Sequence, residues 1–370
     1  MKKQFLSFMA MAAAVFFGTT VFLPGNAQAA EGDFVVERDG NYTCLVGYNG
    51  PGGDVKIPAN VDLILSPAFS GCTTLSSVTI PGSVETVGAD TFVGCTGLTN
   101  VTIQDGVENI SLGAFSGCTG LTSVTIPGSV SLGQDVFLNC TGLASVTLGE
   151  GITEIPDHVF NGCTGLANVS IPNSISFIDV NAFHDTPWLK SLGDFAVVNG
   201  ILMVYQGNES NITIPDHVRS ISPGAFRDCP GLGKVTLPNG FTSIESRVFL
   251  GSHIKEVVIP EGVTVINDVA FSGCTDLAGV TLPNSLTTIG NGAFSGCSSL
   301  AEVAIPGGVT AIGPFAFEQC ANLKKLVIPD SVTSIGNDLL WKSTNAVIYG
   351  KAGSYAETYA RENGIPFVVE

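Results

Sequence analysis

Residues 113–133 read GAFSGCTGLTSVTIPGSVSLG, and this stretch returns with small changes from about Val55 to Tyr349. Its phenylalanine marks the period: Phe69, Phe92, Phe115, Phe137, Phe160, Phe183, Phe226, Phe249, Phe271, Phe294 and Phe317, with Leu340 in the last slot. Neighbouring anchors lie 22 or 23 residues apart, except for 43 between Phe183 and Phe226. A fixed period of this length means a solenoid, in which each unit touches only its neighbours.

The chemistry of one unit follows from its alternation. In LTSVTIP, residues 121–127, Leu121, Val124 and Ile126 point inward and Thr125 outward. Pro127 has no N–H to give a ladder, so the strand stops there. Val130 and Leu132 turn inward again, Phe115 fills the far side, and Cys118 is a small filler. Fully burying one Phe, Val or Ile contributes roughly 1.5–3 kcal/mol, but one coil alone cannot bury them. Stacked at roughly 4.8 Å, coils make parallel sheets around an apolar core. The expected fold is therefore an all-repeat solenoid of about 23-residue coils, mainly short parallel strands and turns, with few helices.

The repeated phrase A-F-x-G-C-x-x-L-x-x-V-x-I-P-x-x-V-x-x-I-G resembles the BspA-like class of leucine-rich repeats, and residues 270–290 and 293–313 are good examples. Departures are local. Gln104 and Gly149 stand in place of the proline, and Thr186 and Ser252 in place of the cysteine. The resemblance implies a secreted or surface-associated binding protein, without enzymatic activity, that adheres to host matrix or other cell-surface proteins.

Composition agrees with a solenoid rather than a disordered chain. Glycine (45) and proline (19) are frequent, yet 45% of residues are hydrophobic and only 13% charged. A net charge of −17 argues against sequence-independent nucleic-acid binding and against docking on anionic lipid.

Along the chain, residues 1–29 read as a secretory signal: Lys2 and Lys3, an apolar centre, then Ala27-Gln28-Ala29 as a cleavage site. No second apolar span of about 20 residues follows, so the mature chain is not expected to cross a membrane. Residues 33–48, DFVVERDGNYTCLVGY, read as a hairpin around Asp39-Gly40 that covers the open edge of the first coil. Residues 194–206, DFAVVNGILMVYQ, read as a second hairpin around Asn199-Gly200. Pro58 to Phe69 and Pro215 to Phe226 then match in length, which suggests an internal duplication. The expected organisation is a capping hairpin at 30–50, a first repeat block at 51–193, an inserted hairpin at 194–210, a second block at 211–349 and a C-terminal cap at 350–370. Trp188 and Trp341 are read as packing residues at the block ends, and residues 354–362, SYAETYARE, as a short helix.

Nine cysteines share one slot: Cys72, Cys95, Cys118, Cys140, Cys163, Cys229, Cys274, Cys297 and Cys320, with Cys44 outside it. Disulfides, metal ligation and a buried ladder of reduced thiols compete as readings. Parallel slot vectors, an odd count and the tolerance of Thr186 and Ser252 favour the reduced ladder. His158, His184, His217 and His253 share no slot, and no nucleophile elbow or phosphate loop is present. No catalytic residue, cofactor or metal site is therefore expected.

The outward strand positions carry the binding expectation. One slot holds Thr102, Thr125 and Thr147, and the slot two before it Asn100 and Asn168; in the second half the latter slot becomes Lys234, Glu256, Glu302 and Lys325. Thr also simply suits an exposed strand. A face of small polar groups, without clustered Trp, Tyr or Arg, would bind weakly per contact and gain affinity from many coils. The expected partner is an extracellular protein, or alternatively a glycan or cell-wall polymer. The expected state is a monomer, secreted or loosely held at the cell surface.

Overall fold

The computed structural model describes residues 29–370 apart from Asp228 and Pro230, so the expected signal sequence, all but Ala29, lies outside the described residues. The chain winds as a β-solenoid in which each coil contributes a short strand, a turn and a second, two-residue strand. In the first block the longer strands form one parallel sheet in the order Gly53–Lys56, Leu75–Ile80, Asn100–Ile103, Ser123–Ile126, Ser145–Leu148 and Asn168–Ser170. The two-residue strands Leu63–Ile64, Thr86–Val87, Asn109–Ile110 and Ser131–Leu132 form another. Register between coils is exact to the slot: Val124 faces Val146 and Thr125 faces Thr147.

A third ladder runs through the phenylalanine corner. Phe92 N–H donates to Ala114 O (2.8 Å), Phe115 to Val136 O (2.9 Å) and Phe137 to Val159 O (2.9 Å). Their rings stack, with centroids 4.9–5.5 Å apart and planes within 7° between Phe92 and Phe160. The corner needs a left-handed residue two places after the phenylalanine, which Gly94 and Gly117 supply at φ 69 and 70. Asn139, Asp185, Gln319 and Lys342 take the same conformation at that place in their own coils.

The two hairpins differ in what they cover. In the first, Phe34–Asp39 pairs with Tyr42–Tyr48, and Asp39 faces Tyr42. The loop is thus Gly40-Asn41 rather than Asp39-Gly40, because glycine takes the first loop position at φ 60. This hairpin extends only the sheet of short strands, through Cys44↔Leu63 and Leu45↔Ile64, and leaves Gly53–Lys56 as an edge. Tyr48 occupies the anchor slot and stacks on Phe69 at 4.9 Å.

In the second hairpin, Phe195–Val198 pairs with Ile201–Tyr205 around Asn199-Gly200, both at positive φ as a two-residue loop requires. Its second strand is buried on both faces. Ile201 and Met203 belong to the core of the first block, and Leu202 and Tyr205 to that of the second. The interior is therefore two cores meeting across one strand, not a single uninterrupted one. Tyr205 restarts the anchor column, with Phe226 6.0 Å away.

Ahead of this strand, Thr186 caps the helix Pro187–Ser191 by accepting from Leu189 N–H at 3.2 Å, and Trp188 closes the first column on Phe183 at 4.5 Å. At the C-terminus the helix Tyr355–Glu362 starts at Ser354. Tyr359 Oη donates to Gly336 O (3.1 Å) and accepts from Leu339 N–H (3.2 Å), tying that helix to the last coil. The chain then adds a strand, Phe367–Val369, parallel to Val347–Gly350. Trp341 does not pack at this end: it is 45% exposed, with Lys342 Nζ 3.9 Å above its ring.

Replacing one central ring tests the column. Phe115→Ala should lower unfolding stability by about 3–5 kcal/mol, read as a shifted urea midpoint; an unchanged midpoint would mean the stack contributes little.

Candidate functional site

The nine slot cysteines and Cys44 are all free thiols. What they do is visible coil by coil. Cys95 Sγ donates to Phe69 O (3.1 Å), Cys118 to Phe92 O (3.2 Å), Cys140 to Phe115 O (3.1 Å) and Cys163 to Phe137 O (3.1 Å). In the second block Cys274, Cys297 and Cys320 do the same to Phe249, Phe271 and Phe294. Each thiol thus satisfies the carbonyl of the anchor in the preceding coil. A hydroxyl can do so too: Ser343, which occupies the slot in the last coil, donates to Phe317 O at 2.8 Å. The sequence shows Ser343 at the expected place, three residues after Leu340. Cys72, in the first coil, is half-exposed and approaches Thr74 Oγ1 at 3.7 Å instead.

Burial pushes the Cys95 thiol up to about 12. It pushes Cys274 up to about 11 and Cys320 to about 12, and raises Cys297 as well. Cys140 is raised by hydrogen bonding to its thiol neighbours Cys118 and Cys163 and by burial. Neutral thiols in this setting are poor nucleophiles and poor metal ligands.

The outward strand residues stand where the strands put them. Asn100, Thr102, Thr125, Thr147 and Asn168 are exposed on the sheet of the first block. Asn100, Ser123, Ser145 and Asn168 lie on one row, and Thr125, Thr147 and Ser170 on the next. This is an uncharged strip of hydroxyls and carboxamides. The second block places Lys234, Glu256, Glu302 and Lys325 on the equivalent face, and the sheet there is interrupted between Gly279–Thr281 and Glu302–Ala304. Its charges are largely used within the chain. Lys234 Nζ lies 3.0 Å from Glu256, and Lys325 Nζ 2.6 Å from Glu370 and 4.7 Å from the Tyr349 ring centre. The bond to Glu370 raises the Lys325 ammonium above its usual range.

Two openings break the regular surface. At the end of the first strand sheet an open trough of about 340 Å³ is lined by Ser145, Thr147, Asn168, Val169 and Ser170, with Trp188 beside them. A smaller cavity of about 120 Å³ lies between Ser220–Ile221 and Ser243–Ile244, where the ladder of short strands lapses. Phe241 stands there in the slot that Val130 fills in the first block, and Arg219 and Glu245 line the opening. The sequence does not single out Val169 or the trough; the 43-residue interval is the signal that points to them.

Titratable groups gather at one corner. His158 Nδ1 is 3.0 Å from Asp157 and 3.8 Å from Asp135, and Asn181 Nδ2 donates to Asp157 at 3.0 Å. Burial, with the nearby Asp157 charge, raises the Asp179 carboxyl. Among the described residues no group of three His, Cys, Asp or Glu is placed to hold a metal ion, and no helix is long and apolar enough to cross a membrane.

The repeated residues match a known family. Residues 62–190, 203–291 and 270–348 match the BspA type leucine rich repeat region, a model of six copies. The chain belongs to the BspA-type leucine-rich repeat family. The fold is that of a protein-interaction repeat scaffold, and the family is one of non-enzymatic repeat proteins. Among solved structures, a leucine rich cell surface protein from Faecalibacterium prausnitzii is 27% identical, with 90% of this chain and 96% of that one covered and a TM-score of 0.46. A leucine-rich repeat protein from Bacteroides ovatus is 22% identical, covering 91% and 98%, at a TM-score of 0.45. The pneumococcal vaccine antigen PcpA is 20% identical, covering 91% and 96%, at 0.49. No curated protein matches the sequence.

The thiol ladder sets a pH limit. Cys95, Cys274 and Cys320 have folded values raised above an ordinary 9.0, so the folded state holds its protons more tightly than the unfolded chain. Their contribution is complete below pH 9 and is lost as pH rises toward 11–12. Unfolding free energies from urea titrations should hold steady up to about pH 8.5 and fall beyond it, by as much as about 1.4 kcal/mol per pH unit per thiol. A flat profile to pH 11 would contradict the ladder. Unfolding without reductant should expose ten titratable thiols.

Proposed function

We propose that this protein is a secreted or surface-associated, non-enzymatic binding protein that adheres to an extracellular protein through the outward face of its strand sheets. The observation that carries this reading is the in-register strip Asn100, Ser123, Ser145, Asn168 with its companion row of threonines. Successive coils repeat the same small donors and acceptors at one-strand intervals, so many weak contacts act together on a large partner. Adhesion to a host matrix or another cell-surface protein fits this arrangement better than capture of a small ligand, which needs a concave apolar pocket. The reading places the mature chain outside the cell after removal of residues 1–29, as a monomer with no resident cofactor or metal.

A second reading, binding of a glycan or cell-wall polymer, has one observation of its own. Trp188 lines the trough beside Asn168 and Ser170, and an aromatic ring next to carboxamide and hydroxyl groups suits a sugar.

The two are separated by immobilised fibronectin and fibrinogen in a solid-phase assay, run beside a glycan array. Saturable protein binding is expected. It should fall at least about ten-fold when Thr102, Thr125 and Thr147 are changed together to glutamate, since charge on the central rungs repels and desolvates poorly. Absence of saturable binding to any protein, with clear signals on the glycan array, would favour the second reading.

A further inference from the structure

The strand Asn168–Ser170 is a sheet edge in the middle of the molecule. It pairs with Ser145–Leu148 on one side, and among the described residues no strand pairs with it on the other. The next longer strand, Asn211–Thr213, begins a different sheet. The chain between them leaves the strand column to make the helix Pro187–Ser191 and the hairpin.

The edge has a defined polarity. Asn168 N–H donates to Ala144 O at 3.2 Å, so Asn168 and Ser170 turn their backbone groups to the preceding coil. By the alternation of a parallel ladder, Val169 turns its N–H and carbonyl toward the open side. The apolar positions under this strand are open as well. Val169 and Ile171 are half-exposed, whereas Val146 and Leu148, one coil earlier, are buried. Across the gap, Ile212 and Ile214 are buried.

The two outermost edges of the longer strands are guarded. Gly53–Lys56 carries Asp54 and Lys56, and the terminal strand Phe367–Val369 is followed by Glu370, which is paired with Lys325. Charge of this kind blunts an edge against pairing. Asn168–Ser170 has none, as the inner edges Asn211–Thr213 and Gly279–Thr281 have none, and the trough with Trp188 in its lining lies along it.

We infer that this edge takes an extended peptide segment of a partner as an added parallel or antiparallel strand. The peptide's backbone bonds Val169 N–H and carbonyl, its inward residue covers Val169 and Trp188, and its outward residues lie level with Thr147 and Ser170. A chain of net charge −17 draws a neutral or basic segment. The inference rests on the strand-face reading above, because Thr147 and Asn168 belong to both surfaces, and it names where on that face a partner is held and by what chemistry.

The sequence has two tryptophans, so Trp341→Phe leaves Trp188 as the only indole reporter. The probe is a capped octapeptide of alternating valine and threonine with lysine at each end. It should change Trp188 emission saturably. The same peptide methylated on its internal backbone nitrogens should bind at least about ten-fold more weakly, the loss expected for about 1.4 kcal/mol of backbone bonding. Val169→Pro, which removes the outward N–H from an edge strand, should cost as much in a protein of unchanged circular dichroism. The methylated peptide needs no variant and so decides the matter if Val169→Pro misfolds. No saturable change, equal binding of the methylated peptide, competition by a β-linked hexasaccharide in place of the peptide, or a dimer sealed through this edge in sedimentation would each overturn the inference. Binding to the immobilised proteins that persists while the octapeptide fails sinks this inference alone; octapeptide binding without it sinks the broader reading alone.

Discussion

The structure depends on one repeated contact at the phenylalanine corner. Each ring lies flat on the next at about one strand spacing, and each anchor's carbonyl points into the core where water cannot reach it. A buried carbonyl without a donor costs on the order of 1–3 kcal/mol, and the corner repeats in every coil. The slot residue's own N–H is the first donor, as Cys95 N–H is to Phe92 O (3.2 Å), and the thiol of the following coil adds a second, weak but of the right size. Hydroxyl side chains also take the slot: Thr186 starts a helix by bonding back to Phe183 O (2.7 Å), Ser252 lies 3.4 Å from Cys274 Sγ, and Ser343 closes the last coil. The cysteines are therefore part of backbone satisfaction, and disulfide formation would leave each anchor carbonyl with the slot residue's N–H alone.

Because the corner is satisfied from coil to coil, the ends of each column need a different solution. Tyr48 and Tyr205 open the two columns, and Trp188 closes the first. The strand Ile201–Tyr205 serves both blocks at once, sending Ile201 and Met203 to the first core and Leu202 and Tyr205 to the second. This keeps the apolar ends of two stacks out of water with one strand. Its consequence is that the column of longer strands is broken, while the short-strand column restarts at the hairpin through Leu202↔Ile221. The open edge at Asn168–Ser170 and the trough beside Trp188 are produced by that asymmetry.

The outer surface follows from the same stacking. Slots that must be identical inside are free outside, so the outward rows record what the coils do not need for folding. In the first block those rows carry Asp54 and Lys56 on the first strand and stay uncharged over the strands that follow. In the second they hold opposite charges that find each other, and exposed pairs of that kind contribute only about 0.2–1 kcal/mol. The two blocks share one interior plan and differ in the chemistry they present.

The period, the inward slots and the small-residue ladder were legible in the residues themselves, since every coil must solve the same burial problem and so repeats the same answer. The Asn199-Gly200 turn was legible too, for only a few residue pairs take positive φ twice. The first hairpin loop was misplaced by one residue, because Asp39-Gly40 and Gly40-Asn41 are both acceptable turns and only pairing with Tyr42 decides. Trp341 looked like Trp188 in sequence, yet only Trp188 has a terminal phenylalanine to lie on. That ILMVY is buried on both faces is hinted at by its unbroken apolar run. Which core each side chain enters, and which strand is left with an unpaired edge, depend on two blocks meeting in space, and a linear pattern of 23-residue coils holds no information about that meeting.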